Sequence, residues 1–346
     1  MKNLKIKKEI FLLILFVVVF YSLKLNNFLN FDLDEPKLGT YRNDEMIFLK
    51  TFYLIKKGEN YYQAFREANE ADARIKKMTP DVFTWRLPTI FYIWNLTAND
   101  GFQIFRNFWI LTAIFLICIY LILVRFIKPC LAILGPILLV PYFLDTISYK
   151  TSFLFTEWWS LFFFFFGLTF FLYKKTFSAG LLFLLAAITR ELIFIPLFSF
   201  FIFSLFLKKN RLFFSIIIMF TLLFFIFHQQ MVFLQFKEFT SQTVNLFEVS
   251  RIHGFWKLGF QKMTAFSMRS YPLIKFKSHY WLIFLAFLSF LVNIRKNKDP
   301  KIWYLFLIGW VNMLIFPFIT SSQYNDYWGI LFMPALIMSI PFIFLK

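Results

Sequence analysis

The sequence predicts an all-α polytopic membrane protein: one domain, residues 1–346, with about ten transmembrane helices and surface helices in its first outer loop. Three features lead there. Hydrophobic residues make up 60% of the chain and aromatic residues 23%, with 56 Phe, which leaves too few polar side chains to coat a soluble domain of this size. Runs such as Leu161–Tyr173 and Leu212–Phe227 are apolar on every side and suit only lipid or a bundle core. Lys and Arg collect in short segments between such runs, as membrane anchors do. The net charge of +18 would suggest nucleic acid in a soluble protein; here it reads as anchoring, and no nucleic-acid partner is expected.

Taken in order, the expected spans are Ile10–Leu25, Ile104–Arg125, Cys130–Leu144, Phe153–Tyr173, Phe177–Arg190, Leu192–Leu207, Leu212–Val232, Trp281–Ile294, Ile302–Thr320 and Trp328–Leu345. A spanning helix needs about 20 apolar residues, and several of these are short. No small-residue cleavage site follows the first run, which reads as a retained helix. Cys118 and Cys130 lie in or beside apolar runs, with neither metal-ligand spacing nor a disulfide framework. The segments Met1–Lys8, Arg125–Lys128, Lys174–Lys175, Lys208–Arg211 and Arg295–Lys301, with Lys346, are basic and fall at every second junction. The positive-inside rule makes that side cytoplasmic, with both termini inside. Apart from Glu9 and Asp299, the acidic residues fall on the outer side, which suggests chemistry there.

Two outer segments, 24–103 and 228–280, are longer than connections require. In the first, Met46, Ile47, Leu49, Phe52, Tyr53 and Leu54 recur at roughly helical spacing, which predicts a helix over Asp44–Lys57 lying along the membrane surface and stopped by Gly58. A second, charged helix is expected over Tyr61–Lys77, solvated on its surface. The second segment mixes Trp, Phe, Lys and Arg without clear periodicity and suits interfacial helices near anionic head groups.

The residues that could carry chemistry each have a plain alternative. Asp44 and Glu45 open the first surface helix, where the helix dipole alone favours acids. Asp32, Asp34 and Glu35 form a second acidic cluster, or a solvated loop ending at Pro36. Arg86, among Trp85, Tyr92 and Trp94, is either part of an interfacial aromatic belt or a phosphate clamp. Glu157 opens a Phe-rich span, and Arg190 and Glu191 interrupt the apolar stretch Leu181–Leu207. Ionisable residues at such depth cost on the order of 2.5–3.5 kcal/mol and usually face a polar cavity; the alternative is an ion pair joining two helices. Tyr324 and Asp326 lie in the turn Ser321–Trp328 at the mouth of the bundle, or in a simple hairpin turn. His228, His253 and His279 lack paired spacing, so a metal site has little support from them.

Together these features resemble the GT-C superfamily of polytopic glycosyltransferases, and within it the protein O-mannosyltransferase and lipid A aminoarabinose transferase group. The resemblance rests on Asp44-Glu45 leading through a helix to Gly58-Glu59-Asn60-Tyr61-Tyr62, on Arg86-Leu87-Pro88-Thr89-Ile90-Phe91-Tyr92 followed by Arg106, on the break Ile188-Thr189-Arg190-Glu191, and on the aromatic turn Tyr324–Pro334. One Pro stands where the group has two, and Arg replaces Lys in two places. The resemblance implies a GT-C-like bundle and an inverting enzyme that moves a sugar from a polyprenyl-phosphate donor to a hydroxyl of a glycan, lipid or protein acceptor on the non-cytoplasmic face. It implies Asp44 as general base with Glu45 beside it, and Arg86, Arg190 and Arg106 on the donor phosphate. A divalent metal is used by some members and not others, so it stays open.

The chemistry is consistent with that implication. A hydroxyl is a poor nucleophile at neutral pH and needs a placed carboxylate, and a lipid-phosphate leaving group needs fixed cations. The alternative from another class is a transporter or flippase for a lipid-linked or anionic substrate, which would place ionisable groups near the midplane, often with broken helices or repeats. No repeat is visible in the sequence. A third reading, a non-catalytic assembly subunit, leaves the carboxylates unconstrained.

Overall fold

The computed structural model describes Ile10, Leu13 and residues 33–36, 44–70, 85–148, 151–235, 278–296, 299–319 and 326–344. Among these residues every regular element is helical. Most of the first expected span, most of the 228–280 segment and residues 71–84 lie outside the described residues.

Four helices form the first part of the described chain. They are α1 (Asp44–Lys56), α2 (Tyr61–Glu70), α3 (Thr89–Thr97) and α4 (Gly101–Leu123), the last running into the bundle. Gly58, at φ 99°, turns the chain between α1 and α2 in a conformation a side chain would oppose. Pro88 opens α3, and Asp100 caps α4 by accepting from the Gln103 backbone N–H at 2.7 Å. A short turn of helix, Pro129–Ala132, leads into α5 (Leu134–Ser148).

The bundle continues with α6 (Thr156–Leu172), α7 (Thr176–Thr189), α8 (Phe194–Leu207), α9 (Arg211–Leu234), α10 (Ser278–Lys296), α11 (Ile302–Ile319) and α12 (Met333–Ser339). Helix α6 is the hub. All its residues but Phe170 are buried, and it packs between α4 and α7. At Gly167 an added Cβ would stand 2.9 Å from the Phe183 ring, so the missing side chain lets α6 and α7 approach closely. The Ser160 hydroxyl donates to the Ala186 carbonyl across the same contact at 2.9 Å.

Among the described residues two helices, α4 and α9, are long and apolar enough to cross a membrane, and the other apolar helices are shorter. The ten-span reading therefore needs correction in its continuity. The segment expected as Cys130–Leu144 is broken at Ile133. The last expected span, Trp328–Leu345, is not one α-helix: 3-10 turns at Asp326–Leu331 and Ile340–Phe344 flank α12, with Pro334 and Pro341 in the run. Phe177–Arg190 and Leu192–Leu207 do separate at the residue expected, since Arg190 is extended (φ −147°, ψ 118°).

The helices expected on the outer side also differ from expectation. Helix α1 is not a half-immersed surface helix: Ile47, Phe48, Leu49, Phe52, Leu54 and Ile55 are buried, and so are Glu45, Lys50 and Thr51. It packs on both α2 and α3, so its polar face is covered as well. Likewise α2, expected to be solvated, buries Tyr61, Tyr62, Ala64, Phe65 and Ala68. The charged residues of α2 occupy only the remaining face.

Candidate functional site

The first turn of α1 carries Asp44 and Glu45, acids that the helix dipole favours. Asp44 is half-buried and Glu45 is buried. One turn further along α1, Phe48 lies under the Arg86 guanidinium, whose central carbon is 5.9 Å from the ring centroid. This places a cation beside the turn that holds the two acids. Arg86 is held from behind: the Tyr61 hydroxyl donates to its backbone carbonyl. Its neighbour Trp85 is buried against Phe65 and Tyr62, with ring centroids 5.5 and 6.2 Å apart. Pro88 starts α3 immediately afterwards, and the Thr89 hydroxyl donates to the Ile188 carbonyl at 2.5 Å. That bond ties the Arg86 segment to the end of α7.

Arg190 follows at the α7–α8 break. Its side chain is 1% exposed and sits between two carboxylates. The Nε lies 2.6 Å from Glu157 Oε1, and Nη1 donates to Glu191 Oε1 at 2.6 Å. Glu157 itself is wholly buried in the first turn of α6, with the Thr156 hydroxyl 3.3 Å from its other oxygen. The arrangement pairs a buried guanidinium with two acids, one from α6 and one from the break itself. Several buried atoms around it have no hydrogen-bond partner among the described residues: Arg190 Nη2, Glu191 Oε2, Thr189 Oγ1 and His228 Nε2. Unmet polar atoms at this density are uncommon in a folded interior and mark a place where a polar ligand or water belongs.

Tyr61 connects the two halves. Burial pushes its phenol well above the ordinary range, and the charges of Arg86 and Glu191 both act on it, in opposite directions. Next to it, the Tyr62 hydroxyl is 3.0 Å from His228 Nδ1 on α9. Burial likewise raises the Tyr62 phenol. Both tyrosines are thus neutral hydrogen-bonding groups at physiological pH. Arg66, further along α2, donates to the Gln235 carbonyl at 3.0 Å, so α2 is pinned to the end of α9 at two points.

The structure therefore brings Asp44, Glu45, Arg86, Glu157, Arg190 and Glu191 to one end of the bundle, on segments joined by direct contacts. Other candidates are placed elsewhere. Asp34 is exposed, on a segment docked near the far half of α1 and the start of α4, where the Leu33 carbonyl accepts from Tyr53 at 2.9 Å. Glu35 bridges Lys50 at 2.6 Å and Lys57 at 2.8 Å, a fastening role; hydrogen bonds from the two ammonium groups hold its carboxyl below the ordinary value of 4.5. Arg106 lies on the outward face of α4 in register with Phe102, Ile110 and Ile114, which are 44%, 53% and 41% exposed, so it is not delivered to this site. Tyr324 lies outside the described residues, and Asp326 only opens the 3-10 turn before α12.

The sequence offers His228 only as a weakly supported metal ligand and Tyr62 only as part of the Gly58–Tyr62 motif, not as partners. The available signal was His228-Gln229-Gln230, a polar step in an otherwise apolar helix. Among the described residues no group of three or more His, Cys, Asp and Glu could hold a metal ion. Comparison with known proteins gave no matching family model, no matching characterised relative and no matching solved structure.

Proposed function

We propose that this chain is an integral membrane glycosyltransferase using a sugar donor carried on a lipid phosphate, with its site at the non-cytoplasmic mouth of the bundle. The observation that carries the reading is the placement of Arg86 over Phe48, one helical turn from Asp44 and Glu45. A base and a cation at one mouth are the two groups such a transfer requires.

In this reading Asp44, the less buried acid, takes the proton from an acceptor hydroxyl as its oxygen attacks the sugar's anomeric carbon. The bond from that carbon to the phosphate oxygen breaks with inversion, and the charge left on the lipid phosphate is held by Arg86. Glu45 orients the acceptor or Asp44. Arg190 has a smaller part than the sequence suggested. Its charge is already met by Glu157 and Glu191, and only Nη2 is open to a phosphate oxygen. It serves mainly to position the wall that faces Arg86. The acceptor is a glycan, lipid or protein hydroxyl.

Membrane insertion is supported by α9, where Met219, Phe220, Leu222, Leu223, Ile226 and Phe227 are 44–57% exposed. Only a stripe of Phe214, Ile217, Thr221, His228 and Val232 is buried. So large an exposed apolar surface needs lipid or a partner chain to cover it. The basic turns at Lys174–Lys175 and Lys208–Arg211 then lie on the cytoplasmic side.

A transporter for an anionic or lipid-linked substrate is the second reading, favoured by the buried Glu157–Arg190–Glu191 group beside a broken helix. One experiment separates them. Purified protein in nanodiscs is incubated with a radiolabelled polyprenyl-phosphate sugar and a cell-envelope acceptor extract, and free lipid phosphate is measured. Asp44→Asn is expected to lower release by about 10²–10⁴ while donor binding persists. Arg86→Ala is expected to weaken donor binding as well, with partial recovery in Arg86→Lys. Normal release by Asp44→Asn ends the assignment of the base, and substrate movement without bond cleavage favours the transporter.

A further inference from the structure

At the end of the bundle opposite the candidate site, α7 and α9 leave an open groove of about 420 Å³ between them. Its walls are apolar, from Phe177, Leu181 and Leu184 of α7 and Phe213, Ile216 and Phe220 of α9. Thr176, the first residue of α7, lies at its end. The two turns that frame this end carry Lys174 and Lys175 before α7, and Lys208, Lys209 and Arg211 before and at the start of α9. All five side chains are exposed, and neither turn contains an acid. Helices α7 and α9 begin here while α6 and α8 end here, so the helix dipoles offset one another and the Lys and Arg side chains supply the positive potential.

The backbone gives a second reason to treat these cations as placed. Among the described residues the non-glycine positions in left-handed conformation are Lys174 (φ 61°), Lys208 (φ 54°) and Asn210 (φ 60°). All three stand in these two turns. Glycine is the residue that accepts such φ values freely, and a helix ending in this way commonly uses it. Lysine occupies two of the positions instead, each time in a turn that adjoins the groove's helices. A long apolar slot with a cluster of cations at one end complements a molecule with an apolar tail and an anionic head.

We propose that this groove holds one anionic phospholipid of the cytoplasmic leaflet, its acyl chain along α7 and α9 and its phosphate among Lys174, Lys175, Lys208, Lys209 and Arg211. The inference rests on the membrane reading above, and not on the transfer reaction. Basic pockets between transmembrane helices on the cytoplasmic side recognise lipid head groups in this way. The site is separate from the donor, whose phosphate belongs at the opposite mouth.

The test is lipid retention by the purified full-length protein, measured by native mass spectrometry during titration with phosphatidylglycerol or phosphatidylcholine. One phosphatidylglycerol is expected to be retained in preference to phosphatidylcholine. The double substitution Lys174→Gly, Lys208→Gly removes two charges and relieves both left-handed positions, so folding is preserved or improved. It is expected to weaken phosphatidylglycerol about 30-fold, since each surface cation contributes about fivefold against an anionic head and two are removed. Leu181→Trp, at a 53% exposed position in the wall, is expected to displace the lipid by filling the groove. Equal retention of both lipids, or phosphatidylglycerol binding unchanged by the double substitution, overturns the proposal. Displacement by inorganic phosphate alone overturns it too, because the acyl chain would then contribute nothing. Failure of the membrane reading shows itself separately: a cysteine at Lys209 would be labelled from outside the cell.

Discussion

Arg190 is among the largest fully buried side chains in the molecule, and its surroundings decide what it can do. A buried charge is tolerated when it is paired, and removal of one partner leaves the other stranded. Arg190→Ala would strand Glu157, which is wholly buried, and is expected to destabilise the protein by about 3–5 kcal/mol. Replacing Arg190 with Met and Glu157 with Leu together is expected to cost less than the sum of the singles, because Glu157 is then no longer stranded and only the partly exposed Glu191 loses its cation. Thermal unfolding in detergent for the two singles and the double closes the cycle. Additive losses would show that the two side chains are not coupled. The sequence marked Arg190, Glu191 and Glu157 because ions in apolar runs are conspicuous. It left open whether Arg190 grips a ligand or its own carboxylates. That choice depends on where α6 begins relative to the α7–α8 break, a contact between residues far apart in the chain. His228 was harder still, since its significance comes from Tyr62 on another helix.

Helix α1 shows how an element can be located correctly and its setting misread. Its bounds, Asp44–Lys56, agree with the expected Asp44–Lys57, because acids at its start and Gly58 after its end are local signals. Its burial is not local. The segment Leu33–Pro36 and helices α2 and α3 cover faces that the pattern assigned to solvent. At Gly101, an added Cβ would come within 2.5 Å of the Leu33 carbonyl, so this segment lies directly against the start of α4. Glu35 fastens it to α1 through Lys50 and Lys57. Because the folded carboxyl is held below its ordinary value of 4.5, this fastening is fully present above that pH. It weakens as pH falls below 4.5 and the carboxyl takes up its proton. Proteolysis near residues 33–36 is therefore expected to accelerate below that range in the native protein. Glu35→Gln should be cut faster at neutral pH and show little further change on acidification. Equal cutting of the two proteins at pH 7 would mean that Glu35 does not hold the segment.

For the whole molecule, the strongest constraint is the mismatch between its surface and water. Helix α9 exposes large apolar side chains over most of its circumference, and α4 and α7 add Ile110, Ile114, Phe177 and Leu181. The composition made this legible before any fold was known. The sequence was less informative about how each run folds. Short runs gave short helices, and the final run became α12 flanked by 3-10 turns, because prolines and packing against α11 set its geometry. Orientation follows from charge. The turns before α7 and α9 are basic, whereas the acids near Arg86 and Arg190 lie at the other end. If the positive-inside rule governs this chain, those ends lie on opposite sides of the membrane. Single cysteines introduced into a chain lacking Cys118 and Cys130 test it. Positions Glu67 on α2 and Asn99 before α4, both exposed, are expected to react with an impermeant reagent added to intact cells. Lys174 and Lys209 are expected to react only after the membrane is opened. The reverse pattern would place the Asp44–Arg86 mouth in the cytoplasm, where a donor displayed on the outer face could not reach it. Reaction at all four positions in intact cells would show that α4 and α9 do not cross a bilayer, and their exposed apolar faces would then belong against another protein chain.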